Sequence, residues 1–363
     1  LLMTSATSKT RTSHYLHAEQ KSRIRLWQRQ WLWRSELPTW CVLLAVYGGW
    51  ALVVYHWQTL GKAVGTPLLI FIACWYMSLQ HELIHGHPTR WPHVNQLLGL
   101  LPLAVWYPYG IYRDAHLAHH NDDSVTHPLD DPESYYFSES RWQHSSALWR
   151  GVIAFRNTFF GRILLGPALG IGALLKDELR EIIRGNGKKI TMWLIHLSLL
   201  ALVLWIAQLA GMSAWWYLLA VSYPALGLAM VRSFYEHRAV DEPSARSIIN
   251  EAAWPWRLLF LNLNYHIVHH DLPGLPWYGL RKAYLADRIE YQQRNHGFVV
   301  QGYSQWWRNY AWRAIEVTQH PLMGREEKGL IELSDANKHN NNDEEPLWQE
   351  IYLWDVRFWH LWR

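Results

Sequence analysis

The sequence predicts an all-α, multi-pass membrane protein with four transmembrane helices in two hairpins and a cytoplasmic helical cap carrying clustered histidines. Four runs, roughly 40–57, 63–80, 190–210 and 214–231, are apolar and close to the ~20 residues that a spanning helix needs. The connectors 58–62 and 211–213 are short and nearly uncharged, so the runs pair into hairpins. Segments 1–36, 113–146, 176–189 and 232–256 hold most of the Lys and Arg, which by the positive-inside rule predicts both termini and all long loops in the cytoplasm. Half the residues are hydrophobic, yet the mean hydropathy is slightly negative, because 25 Trp, 19 Tyr and 21 His accompany the apolar runs. That mixture suits a chain partly in lipid and partly in water, with aromatic side chains where the two meet.

Taken in order, 1–36 reads as a cytoplasmic N-terminal segment. Lys9, Arg11, Lys21, Arg23, Arg25, Arg29 and Arg34 precede any apolar run, and no small-residue cleavage site follows a short apolar region. Residues 37–297 form the membrane domain. Within it the run 96–111 contains Pro102 and Pro108 and is short, which predicts a broken or re-entrant segment returning to the same side. The run 147–175 is interrupted by Arg150, Arg156, Arg162 and several glycines, which predicts a helix or helix pair lying in the interface. Residues 298–363 read as a cytoplasmic tail. It has a polar linker at 335–346 and an aromatic terminal segment with Trp348, Trp354, Trp359 and Trp362.

Composition excludes several classes. The net charge of +4 is spread rather than gathered in a patch, which argues against a nucleic-acid partner. Cys41 and Cys74 both sit in apolar runs, which argues against a disulfide scaffold and a zinc–thiolate site.

The chemistry lies in three clusters: His81-Glu-Leu-Ile-His85-Gly-His87, His116-Leu-Ala-His119-His120 and His266-Ile-Val-His269-His270. Residues three and four apart share a helix face, so these spacings present two, three and three imidazoles together. At this His content an HxxHH pattern is expected by chance about 0.07 times per chain, and it occurs twice. His237, in Glu236-His237-Arg238 after the last apolar run, is a candidate ninth ligand. Taken alone, His81-Glu82-Leu-Ile-His85 also matches the zinc-protease signature HExxH, with Glu82 as general base. A zinc protease needs one further ligand and a water, and leaves the other spaced histidines unused. A two-metal site uses them all, and iron suits oxidation in a lipid phase where hydrolytic zinc does not. A histidine-rich transporter is the remaining alternative, but its ionisable groups belong near the bilayer midplane, and these clusters lie just beyond the span ends.

The run Asn264-Tyr-His266-Ile-Val-His269-His270-Asp-Leu-Pro273-Gly-Leu-Pro276-Trp277 resembles the third histidine box of the membrane fatty acid desaturase superfamily. His81 and His85 resemble its first box, and His116, His119 and His120 its second. The resemblance covers about residues 37–290. It implies a di-iron centre ligated by His81, His85, His116, His119, His120, His237, His266, His269 and His270, with dioxygen as co-substrate and no catalytic side chain beyond the ligands. The implied function is desaturation of a lipid acyl chain, with hydroxylation or ketolation of a lipid or carotenoid as the alternative on the same scaffold. No haem, flavin or ferredoxin motif is present, so an external electron donor, ferredoxin or similar, is implied. A bacterial inner membrane is the expected setting. Related acyl-CoA desaturases place an asparagine four residues before the additional histidine; Ser233 stands there, with Asn262 and Asn264 as candidate substitutes. Glu82, Asp114, Glu236 and Asp271 are candidate acceptors for the second ring N–H of the ligands, against the alternative of ordinary salt bridges.

Overall fold

The computed structural model describes residues 15–120 and 124–321. The predicted polar linker and aromatic terminal segment lie outside the described residues, as do Lys9 and Arg11. The first hairpin pairs α1 (Leu37–Tyr55) with α2 (Trp57–Ile84). Pro38 opens α1, where its missing N–H costs no helical bond, and Gly61 breaks the helical path inside α2 with φ 65°. That break falls in the connector predicted at 58–62.

The run 96–111 is not one helix. A short helix, Pro92–Gly99, gives way to irregular backbone before α3 (Tyr109–His119). Non-helical backbone at membrane depth needs partners from its neighbours, and here they are supplied. Tyr76 donates to the carbonyls of Gly99 and Leu101, Tyr217 to Leu103, Ser222 to Ala104, and the His196 ring nitrogen meets Val105 O at 2.7 Å. His196, far from the histidine clusters in sequence, is thus a backbone clamp.

The run predicted as interfacial is a helix pair, α4 (Ala147–Arg156) and α5 (Phe159–Ile183), broken at Asn157-Thr158. Thr158 caps α5 by accepting from Gly161 N, and Asn157 donates to Val317 O, tying the break to the chain after 310. Helices α6 (Gly187–Leu209) and α7 (Ala214–Arg232) form the second hairpin. Residues Tyr217–Ser222 within α7 take π-helical form, the stretch that begins and ends with the two hydroxyls clamping the 103–104 carbonyls. Helix α7 packs on α2 and closely on α5: a Cβ at Gly227 would lie 2.6 Å from Ile163 O, so only glycine permits the approach.

Among the described residues five helices, α1, α2, α5, α6 and α7, are long and apolar enough to cross a membrane. Four correspond to the predicted runs. The fifth, α5, starts in the run 147–175 predicted to lie in the interface, and it is as long and apolar as a spanning helix although Arg162, Lys176, Asp177 and Glu178 lie along it. The third histidine cluster lies on α8 (His266–Asp271), anchored by the Ile267 N–H to Ile248 O bond beside the parallel pair β1 (Ile249–Asn250) and β2 (Val299–Val300).

Candidate metal centre

The histidines gather where α2, α3 and α8 end. Two groups form: His81, His85, His116, His120 and His269, and His119, His237, His266 and His270, with one nitrogen from each member within 4.8 Å of the others in its group. All nine predicted residues fall in these groups, and none is left out. The second and third clusters each divide between the two groups. On one helical turn, adjacent residues such as His119 and His120 diverge, so HxxHH serves two centres at once. The groups are neighbours, with the His120 and His270 rings stacked at 4.5 Å between centroids.

The ring nitrogens meet in an arrangement that neutral imidazoles alone do not favour. In the first group the Nε2 atoms of His85 and His116, His120 and His116, and His269 and His120 lie 3.0, 3.1 and 3.0 Å apart. In the second, His119 and His237, His266 and His237, and His270 and His266 lie 3.1, 2.9 and 3.2 Å apart. The other nitrogens identify the tautomer in several rings. His116 Nδ1 is 2.9 Å from Glu133 Oε1, and His119 Nδ1 is 2.8 Å from Asp131 Oδ1. A carboxylate only accepts, so Nδ1 carries the proton and Nε2 its lone pair. His237 Nδ1 contacts Ser247 Oγ at 3.1 Å, and both ring nitrogens of His81 are buried without a hydrogen-bond partner. Converging lone pairs repel unless a cation lies among them. Nitrogens at right angles around one ion, with metal–nitrogen bonds of ~2.1 Å, would stand ~3.0 Å apart. The donor set therefore fits two bound metal ions.

Burial, and then neighbouring imidazoles, hold His85, His120, His237, His266 and His269 well below the ordinary imidazole pKa, in the neutral form that ligates metal. His119 differs. Burial would lower it too, but Asp131, Glu133 and Glu236 together push it up to about 9, so that positive charge at Nε2 is favoured, whether a proton or a metal ion that displaces it. For Glu133 burial acts upward and is outweighed by His116 and His119, which leave the carboxyl well below its usual range.

One family model, fatty acid desaturase, matches residues 60–302. The chain belongs to the fatty acid desaturase family. No curated protein matches it. The five apolar helices and this family are consistent with an integral membrane protein, and the histidine groups are compatible with a metal site in a desaturase fold.

Two carboxylates that the sequence reading did not name, Asp131 and Glu133, hydrogen-bond histidines of the groups directly. Asp114 pairs with Arg113 and Lys188, Asp271 with Arg294, and Glu82 accepts from Trp277 N at 3.0 Å. Glu236 lies 3.6 Å from His266 Nδ1 and binds Arg232 at 2.9 Å. The direct partners, Asp131 and Glu133, escaped the sequence reading because they follow His120 by a loop rather than flanking a cluster. The acidic run Asp130-Asp131-Pro132-Glu133 was the available signal. Asn262 and Asn264 spend their amide donors on the carbonyls of Trp277 and Asn250. Asn262 stands in a left-handed conformation, φ 56°, which asparagine tolerates. His87 is buried against Glu36 at 2.7 Å, away from both groups, and His127 pairs with Asp130.

A cavity of about 250 Å³ reaches the groups. Its lining includes His81, His237 and Glu133, the side chains of Met77, Tyr107 and Tyr112, and charged residues of α5 and the α5–α6 turn, among them Arg180 and Arg184.

Proposed function

We propose that the protein is an O2-dependent di-iron oxidoreductase that introduces a double bond into the acyl chain of a membrane lipid or acyl-CoA. The observation that carries this reading is the pair of imidazole groups, four and five strong, beside one cavity lined by both apolar and charged side chains. His81, His85, His116, His120 and His269 would hold one iron, and His119, His237, His266 and His270 the other. Bound there, the two irons supply dioxygen activation for removing hydrogen from an unactivated methylene group. The chain's own residues do the rest. Asp131 and Glu133 keep a proton on Nδ1 of His119 and His116, which aims each Nε2 inward. Met77 and Ile111 give an acyl chain an apolar wall along the cavity, and the burial of His81, His116 and His269 keeps bulk water from the centre. No step requires a protein nucleophile or general base. The HExxH alternative loses support because Glu82 is turned to the Trp277 amide and its two histidines belong to a five-histidine group. Hydroxylation or ketolation on the same scaffold differs only in the fate of the abstracted position.

Four of the five apolar helices cross in this reading, and the support is a parity argument. His119 and His237 touch at 3.1 Å, so the chain between them crosses an even number of times. Three candidate helices, α5, α6 and α7, lie between them. Helix α5, with Arg162, Lys176, Asp177 and Glu178, is the one that stays at the interface. Both termini and the histidine cap then face the cytoplasm, where an acidic redox carrier such as ferredoxin would reach them; a bacterial inner membrane is the setting we assign.

The test is metal analysis combined with lipid profiling of an expressing host. About two irons per chain and a new unsaturated lipid are expected. His119→Ala and His269→Ala, one from each group, should each abolish the product. One zinc per chain, or unimpaired turnover by both variants, overturns the proposal.

A further inference from the structure

A second cavity, about 230 Å³, lies on the other side of Tyr135 and Met230 from the first. Arg156, Arg162 and Lys176 line it, and none of its lining residues is a carboxylate. Arg162 is 1% exposed, and its two terminal nitrogens are buried without a hydrogen-bond acceptor. Its Nε reaches only the carbonyl of Arg156, at 3.4 Å. Arg156 is 3% exposed and uses Nε and one terminal nitrogen on Asn157 and the Tyr135 carbonyl, bonds that do not involve its other terminal nitrogen. Glu236, the carboxylate whose field reaches Arg162, is already bonded to Arg232. Two guanidinium groups thus share a buried site with no carboxylate of their own. The Tyr135 ring, 3.9 Å from the Arg162 guanidinium carbon, offsets part of the cost by cation–π attraction and its phenol adds a favourable electrostatic contact, yet neither terminal nitrogen of Arg162 makes a well-formed hydrogen bond.

The rest of the cavity is an apolar groove. Gly166, Gly170 and Ala173 are buried along this part of α5, whereas Ala168 and Gly172 are exposed, and a Cβ at Gly172 would meet nothing within 4 Å, so the groove is open there. Arg162 and Lys176 stand 14 positions apart on this helix, which spans about 21 Å, the scale of an acyl chain. Trp149, at the rim and 37% exposed, is the residue type that sits at headgroup depth.

We propose that this groove is a structural binding site for an anionic phospholipid, whose phosphate is held by Arg162 and Arg156 and whose chain lies along the small-residue face of α5. The site is separate from the histidine groups, so it stands or falls independently of the iron chemistry. Guanidinium recognises phosphate through paired charge-assisted hydrogen bonds, and the open groove adds what a free phosphate would not use.

The full-length, metal-loaded protein in detergent, titrated with short-chain phosphatidylglycerol, phosphatidylcholine or inorganic phosphate under native mass spectrometry, tests this. One phosphatidylglycerol per chain is expected to bind at least tenfold more tightly than phosphatidylcholine or phosphate. Arg162→Gln should weaken it about tenfold or more. Because that variant disturbs a buried site, Gly172→Trp provides a second arm: it fills the open groove, touches neither arginine, and should also abolish the adduct. Equal binding of phosphatidylcholine, or phosphatidylglycerol binding that both variants retain, overturns the proposal. Phosphate binding as tight as lipid and unchanged in Gly172→Trp identifies a free-oxyanion site and overturns the lipid assignment.

Discussion

His116 and His119 illustrate how single residues prepare the centre. Each imidazole is buried, each gives its Nδ1 proton to a carboxylate, and each directs Nε2 at other ring nitrogens. A carboxylate so placed adds to the affinity of an imidazole pair for a metal ion without touching the ion. Glu133→Gln and Asp131→Asn keep the shape but supply an amide that no longer enforces the tautomer. Each should lower iron affinity roughly 10–100-fold, read by chelator competition, while leaving the fold intact by circular dichroism. An Asp114→Asn control should leave affinity unchanged, since Asp114 serves Arg113 and Lys188 at the surface.

Between residue and fold, the irregular stretch 100–108 shows how a span-like run is kept from being a span. Its carbonyls depend on hydroxyls and a ring from α2, α6 and α7. Tyr217→Phe strands Leu103 O and the Trp50 indole N–H, which now bonds the same hydroxyl at 2.9 Å. A loss of roughly 1–3 kcal/mol follows, visible as a lower thermal midpoint in micelles. The loop after the first histidine cluster is tied differently, by His87 to Glu36 just before α1. Burial alone would lower the His87 pKa, but the hydrogen bond and charge of Glu36 raise it above the ordinary value. A raised folded-state value means that the pair's stabilisation is full below about pH 6.5 and fades as pH rises through the folded value. Glu36→Gln should therefore lower the thermal midpoint more at pH 6 than at pH 9; a deficit that is equal at both, or larger at pH 9, counts against this assignment.

For the whole molecule, the decisive constraint is that residues 118 positions apart meet at 3.1 Å. Helix α6 leaves Leu194, Leu197, Leu202, Trp205 and Leu209 exposed, an apolar face that lipid would cover. Helix α5 packs against α7, α4, α6 and the helix Tyr303–Tyr310, and it too exposes apolar residues, Leu164, Leu175, Leu179 and Ile183, so the topology has to be measured. A green fluorescent protein fused after Gly185, between α5 and α6, should fluoresce as brightly as an N-terminal fusion, whereas alkaline phosphatase should be active only when fused at 58–62 or 211–213. Active phosphatase at 185 would mean that α5 crosses.

Much of this architecture was legible from residue order. Eight of the nine histidine positions follow from helical periodicity, because three- and four-residue spacings place imidazoles on a common face whatever surrounds them. His237 was legible through family resemblance and not through spacing, since the Ser247 contact that holds it comes from a separate strand-like segment. The hairpins followed from apolar length and the charge of their connectors. Only the tertiary structure decided how the histidines divide into groups of five and four, that Asp131 and Glu133 bond His119 and His116, and which side chains clamp the broken stretch that the prolines at 102 and 108 predict. The physical reason is common to all three. Periodicity and hydropathy are local properties of the chain, whereas hydrogen-bond partners and lone-pair convergence depend on distances that exist only after remote segments pack together.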